Sequence, residues 1–168
     1  GHGESHLWPE GVLLSNGPLG STLPQTQGLA LGDGWSGKSR HTICTISDGA
    51  LMEGEAKEAV TAIPGLAAKG KLAPFVLLIS DNNTKLSGRI DAQSYSLEPY
   101  LASLEAQGWD LRLIKDGHDL EKVYQEIEKA YEDPAANPRK PVALWFKTIK
   151  GKGTAKTEAS SSGGHGFP

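Results

Sequence analysis

The sequence predicts an α/β domain, a three-layer sandwich with a mostly parallel central sheet, and two observations lead there. Four short apolar runs rich in β-branched residues recur along the 168 residues, and between them the apolar positions follow the helical i, i+3, i+4, i+7 rule. Strands that alternate with helices are joined by right-handed crossovers, which cover both faces of the sheet.

In chain order, a first helical stretch runs from about Leu23 to Leu31, and Thr42 to Ser47 is the first buried strand. Ala56, Ala59, Val60 and Ile63 then form one helical stripe. Phe75 to Ser80 is the second strand, Leu97, Tyr100, Leu101 and Leu104 the next stripe, and Leu111 to Ile114 the third strand. After the turn Asp116-Gly117-His118, Asp119 is placed to cap a helix with the stripe Leu120, Val123, Tyr124, Ile127 and Tyr131. Pro134 and Pro138 are expected to end that helix, and Val142 to Thr148 is the last strand.

A hydrophobic content of 38% in 168 residues supports one core, so residues 1–168 read as a single domain. Seventeen basic against 20 acidic residues leave a net charge of −3, which argues against nucleic acid and anionic membrane as partners. No run is long enough to cross a bilayer, and no basic leader or apolar signal core opens the chain. The one cysteine, Cys44, lies inside an apolar run, so it reads as a buried free thiol and fits a cytoplasmic setting. The chain opens on Gly1-His2-Gly3 without a methionine and closes on Gly163 to Pro168, so truncation at both ends is expected.

In parallel sheets ligands bind beyond the carboxyl ends of the strands. The unusual residues cluster there. Ser47-Asp48-Gly49 follows the first strand, where Gly49 is expected to turn the backbone and a helix start to offer free N–H groups to an anion. A carboxylate aimed at an anion needs a cation between them, so Asp48 points to a metal bridging carboxylate and phosphate. After the second strand comes Ser80-Asp81-Asn82-Asn83-Thr84-Lys85, where Asn83 offers a neutral oxygen to the same ion. Mg²⁺ suits such a site, and Ca²⁺ is the alternative.

After the last strand, Lys147 to Gly153 sets lysines among glycines, and His165 stands between glycines near the end. Near the start, Asn16-Gly17-Pro18-Leu19-Gly20 makes a rigid turn able to present Leu19 to a flat ring. Taken singly, each segment is an ordinary turn, strand end or solvated tail. His2 and His6 are four apart, but no second pair or cysteine completes a zinc site.

Together these residues resemble the transketolase family. Ser-Asp-Gly-Ala-Leu-Met-Glu-Gly with Glu58-Ala59 behind it, then Asp-Asn-Asn after the next strand, is similar to the thiamine-diphosphate motif of that family. Gly1-His2, Asn-Gly-Pro-Leu-Gly, Lys-Thr-Ile-Lys-Gly-Lys-Gly and the late His-Gly match its other loops in order across nearly the whole chain. Ser47 departs from the family's first motif glycine, and the interval from Asp48 to Asn83 is longer than the family's, which fits a loop around Pro64 to Lys71.

The resemblance implies a thiamine-diphosphate-binding fold with thiamine diphosphate and Mg²⁺ or Ca²⁺ as cofactors. It implies that Asp48, Asn83 and the backbone carbonyl of Lys85 bind the metal. Gly49, Lys150 and His165 would contact the diphosphate, and Gly17, Leu19 and His2 would line the cofactor and substrate side. Glu53 would sit near the aminopyrimidine at a dimer interface, with His165, His2 and Glu53 as the catalytic set. The implied reaction moves a two-carbon ketol unit from a ketose phosphate to an aldose phosphate. It needs a second, pyrimidine-binding domain, in a homodimer or a dimer of heterodimers. Deoxyxylulose-phosphate synthase, phosphoketolase and dihydroxyacetone synthase types, or a non-catalytic assembly module, are the alternatives.

Overall fold

The computed structural model describes residues 4–14, 17–86, 88–160 and 165. Four strands form one all-parallel sheet: β1 (Thr42–Ser47), β2 (Phe75–Asp81), β6 (Val142–Lys147) and β5 (Asp110–Ile114), in the spatial order β1-β2-β6-β5. Helices flank it on both faces, so the expected α/β sandwich with a parallel sheet is the fold observed. The strands alternate their side chains between two cores. Phe75, Leu77, Ile79, Ala143 and Trp145 face one cluster with Leu23, Val60 and Ile63. Val76, Val142, Leu144 and Phe146 face the other, with Ala130, Val123 and Ile127.

The first cluster is covered by α1 (Thr22–Trp35), α2 (Gly54–Ala68) and the short α4 (Glu98–Ala102). The second is covered by α5 (Leu120–Ala136). A two-stranded hairpin of β3 (Thr84–Lys85) and β4 (Gly88–Arg89) leads into α3 (Ile90–Gln93), and α6 (Ala155–Glu158) follows the last strand. That hairpin has no counterpart among the sequence expectations, because two-residue strands carry no periodicity.

Two prolines act differently from the expectation. The chain does not loop out at Pro64, since α2 continues to Ala68. A proline inside a helix frees the carbonyl four residues earlier, here that of Val60. The buried indole of Trp109 donates Nε1–H to that carbonyl at 3.0 Å and so satisfies it. Likewise α5 passes through Pro134 and ends at Ala136, with Asn137 leaving the helical region at φ of −137° just before Pro138, where helical backbone is disfavoured.

The stripe from Leu97 to Leu104 makes only five residues of α-helix. Its last turns tighten, with Ser103 N–H shared between the Pro99 and Tyr100 carbonyls. The Asp119 cap forms as expected, its Oδ1 accepting the Lys122 N–H at 3.1 Å.

Candidate functional site

The carboxyl ends of β1, β2 and β6 lie side by side, with Ser47 paired to Ser80 and Asp81 to Lys147. Directly beyond β1, Asp48 is fully buried at 0% exposure. Its Oδ1 accepts the Gly49 N–H at 2.8 Å, and its Oδ2 accepts the N–H groups of Asn82 at 2.9 Å and Asn83 at 2.6 Å. An ionised carboxylate offers about four lone-pair positions, so three backbone donors leave one on Oδ1 unused. Burial above all pushes the Asp48 carboxyl up to about 6, and the charge of Asp81 adds to the push against the backbone N–H groups.

Asn83 holds a left-handed backbone with φ of 54°, a conformation asparagine tolerates better than most residues. Its side-chain oxygen accepts the Asp91 N–H at 3.0 Å, and its carbonyl accepts the Ile90 N–H at 3.1 Å. These bonds fold the β3–β4 hairpin back onto α3.

Gly49 corrects two expectations. Its backbone is ordinary right-handed helix, φ −60° and ψ −41°, so no special turn requires glycine there. After it the chain makes a three-residue 3₁₀ turn, Ala50–Met52, and α2 begins only at Gly54. A Cβ at Gly49 would stand 3.7 Å from the Thr84 carbonyl oxygen and 3.9 Å from Lys85 Cα, ordinary contact distances. Ser47 caps the turn, its Oγ accepting the Ala50 N–H at 3.2 Å.

Leu19, Gly49, Glu53, Lys85, Lys150 and His165 come together around one cleft of about 530 Å³. Asp48 and Asn83 do not line it; they line a neighbouring pocket of about 200 Å³ with Asp91, Glu98 and Lys147. Gly17 and Leu19 bound a third pocket, about 210 Å³, against Thr45 to Ser47. His2 lies outside the described residues. Across the large cleft, Lys150 Nζ and His165 Nδ1 stand 2.9 Å apart. Burial lowers the Lys150 ammonium from its ordinary value, while the charge of Asp48 works the other way.

The Pro18-Leu19-Gly20 turn is locked against Glu53. Gly20 has φ of +89°, and a Cβ there would come within 2.6 Å of the Glu53 Cβ. Only glycine fits that approach. Leu19 projects at the cleft with 60% exposure.

One arrangement escaped the sequence reading. The buried Asp81 carboxylate accepts Trp145 Nε1–H at 2.7 Å and Lys147 Nζ at 2.8 Å. Lys147 reaches on to Glu98 at 2.6 Å and lies 4.7 Å over the Trp145 ring. Burial is the largest influence on Lys147 and works against its charge, yet the hydrogen bonds to Asp81 and Glu98 raise its pKa. A signal existed: Asp81 and Lys147 are charges at the ends of two apolar runs, and register pairs them.

The fold and the site define a class: an α/β domain with a cleft at the carboxyl ends of parallel strands, where such folds bind ligands. The transketolase thiamine diphosphate binding domain family matches residues 1–168, and the chain belongs to that family. It is 34% identical over 178 aligned positions to a transketolase of Staphylococcus aureus, covering 100% of this chain and 25% of that protein. A transketolase of Geobacillus stearothermophilus is 33% identical with the same shares. Among solved structures, a transketolase of Campylobacter jejuni superposes with a TM-score of 0.68 at 26% identity, over 85% of this chain and 22% of that one. The chain thus spans about a quarter of the length of the curated relatives it matches.

Proposed function

We propose that residues 1–168 act as the diphosphate- and metal-binding domain of a transketolase-type transferase that uses thiamine diphosphate. The observation that carries this reading is the buried Asp48 carboxylate, fixed by three backbone N–H groups beside a cleft lined by Lys150 and His165. Asp48 and Asn83 each keep an unused lone pair on a side-chain oxygen, and Lys85 adds a backbone carbonyl. Such an all-oxygen set suits Mg²⁺ or Ca²⁺.

Two features support a cation there. Burial above all raises the Asp48 pKa, with the charge of Asp81 adding to it, and Asp81 has Lys147 as its counter-charge while Asp48 has only backbone donors. Among the described residues, the buried Asn82 side-chain oxygen also has no hydrogen-bond partner. Buried polar atoms ordinarily have partners, and a bound ion or its water is one way to supply them.

Within this reading Lys150 and His165 hold the diphosphate, while Gly17, Leu19 and Gly49 wall the cofactor. When bound, thiamine diphosphate supplies the carbon nucleophile that transfers a two-carbon unit. His2 and His165 orient the sugar phosphate and hold protons near its oxygens. Glu53, the residue before α2, would meet a second domain near the cofactor ring. Leu19 and Leu86 are 60% and 71% exposed at the cleft, apolar surface that a pyrimidine-binding domain of a partner subunit would cover. A cytoplasmic enzyme acting as a dimer on sugar phosphates is the corresponding whole.

The test is to supply the missing portion from a relative and follow two-carbon transfer from a ketose phosphate to an aldose phosphate. Transfer by the assembled protein, lost in Asp48→Ala, supports the reading. A folded complex that binds cofactor and transfers nothing would leave an assembly module instead.

A further inference from the structure

The turn after β5 grips the loop after β6 from behind. Gly117 donates its backbone N–H to the Lys147 carbonyl at 2.9 Å, and His118 Nε2 accepts the Ile149 N–H at 2.7 Å. Asp116 Oδ1 accepts the His118 N–H at 3.0 Å and folds the turn on itself. The approach is tight: a Cβ on Gly117 would stand 2.8 Å from the Lys147 carbonyl oxygen. Ile149 is 42% exposed, so hydrogen bonds rather than packing hold this segment. The next residue is Lys150, which turns into the large cleft beside His165.

We propose that His118 is a positioning residue: its neutral imidazole clamps the Ile149 amide and so aims Lys150 at the cleft, and protonation opens the clamp. A ring nitrogen that accepts must carry a lone pair, so the proton of the neutral ring sits on Nδ1. Protonation turns Nε2 into a second donor facing the Ile149 N–H, and the bond becomes a repulsion. Histidine is the side chain whose charge ordinarily changes between about pH 5 and pH 8. The charged groups near it are Glu158 of α6, itself tied to Lys152 at 3.0 Å, and its chain neighbours Asp116 and Asp119. The consequence for cofactor binding rests on the function proposed above, in which Lys150 meets the diphosphate.

The experiment uses the ¹⁵N-labelled 168-residue chain and its variants His118→Asn and His118→Ala, followed by NMR from about pH 8 to about pH 5.5. Thiamine diphosphate with Mg²⁺ is titrated into the same samples by calorimetry. The Ile149 amide is expected to shift, and to exchange faster, with the midpoint of the His118 ring nitrogens. His118→Asn, whose oxygen accepts without titrating, keeps the amide protected across the range. His118→Ala exchanges fast throughout and binds cofactor about three- to tenfold more weakly at the upper pH, the worth of one net hydrogen bond. An Ile149 amide indifferent to His118 titration overturns the clamp. Equal cofactor affinity in His118→Ala and the parent overturns the positioning role. A coupled amide with no cofactor bound by any variant supports the clamp and counts against the cofactor reading alone.

Discussion

The Asp48 carboxylate and the Asn83 backbone N–H meet at 2.6 Å across the carboxyl ends of β1 and β2. That contact ties the two halves of the candidate metal site together before any ion binds, and it holds Asp48 where water does not reach.

A pH dependence follows from that burial. The folded Asp48 carboxyl sits at about 6, above its ordinary 3.8, so folding favours its protonated form. Its contribution to stability is therefore complete below about pH 4 and is lost as pH rises through about 6, on the order of 2–3 kcal/mol. Mg²⁺ or Ca²⁺, which binds the ionised form, offsets the loss at pH 7.5 and does little at pH 4.5. Thermal unfolding with chelator and with metal, parent against Asp48→Ala, reads this directly. Equal metal stabilisation in both proteins would remove Asp48 from the ligand set.

Gly20→Ala forces a side chain into φ of +89° and against the Glu53 Cβ. A loss of about 2 kcal/mol is expected in urea unfolding, with an unchanged denaturant slope. Cofactor binding should weaken as well, because the same contact sets the Pro18-Leu19 wall. A variant as stable as the parent would mean that the turn moves freely away from α2.

Lys147→Met leaves the buried Asp81 with the Trp145 indole as its remaining donor, and about 2 kcal/mol of stability should go. Pairing it with Asp81→Asn should recover part of the loss, since the uncompensated charge is then gone. A double-mutant cycle measures the coupling. Strictly additive losses would show that the pair does not interact.

Trp109→Phe deprives the Val60 carbonyl of the indole N–H that replaces the helical donor missing at Pro64. The expected cost is about 1–3 kcal/mol, with cofactor affinity unchanged. Adding Pro64→Ala, which restores a helical N–H to that carbonyl, should return much of it. No recovery would place the effect in packing against Phe75 instead.

Those prolines show where sequence and structure part. Phe75–Asp81 and Val142–Lys147 were legible because they are apolar runs that a parallel sheet buries on both faces, whereas Thr42–Ser47, expected to be buried, is an edge strand that leaves Ile43 45% exposed. Pro64 read as a helix end because its remedy, Trp109, lies 45 residues further along the chain, beyond any local pattern. In the site, Asp48 and Asn83 were legible from motif order, and Lys150 with His165 from glycine-flanked charge. The Asp81–Lys147 pair needed strand register, and the His118–Ile149 bond needed the fold of a turn against a loop. Gly49 carried a glycine's signature without a glycine's conformation, and a Cβ there would meet Thr84 and Lys85 at ordinary contact distances.

The most direct measurement is calorimetric titration of thiamine diphosphate with Mg²⁺ into the chain and into Asp48→Ala, each shown to be folded by circular dichroism. Saturable binding that vanishes with chelator and in Asp48→Ala is the expected result. Binding that persists in Asp48→Ala, or that needs no metal, would contradict the assignment of this domain as the metal-anchored diphosphate site.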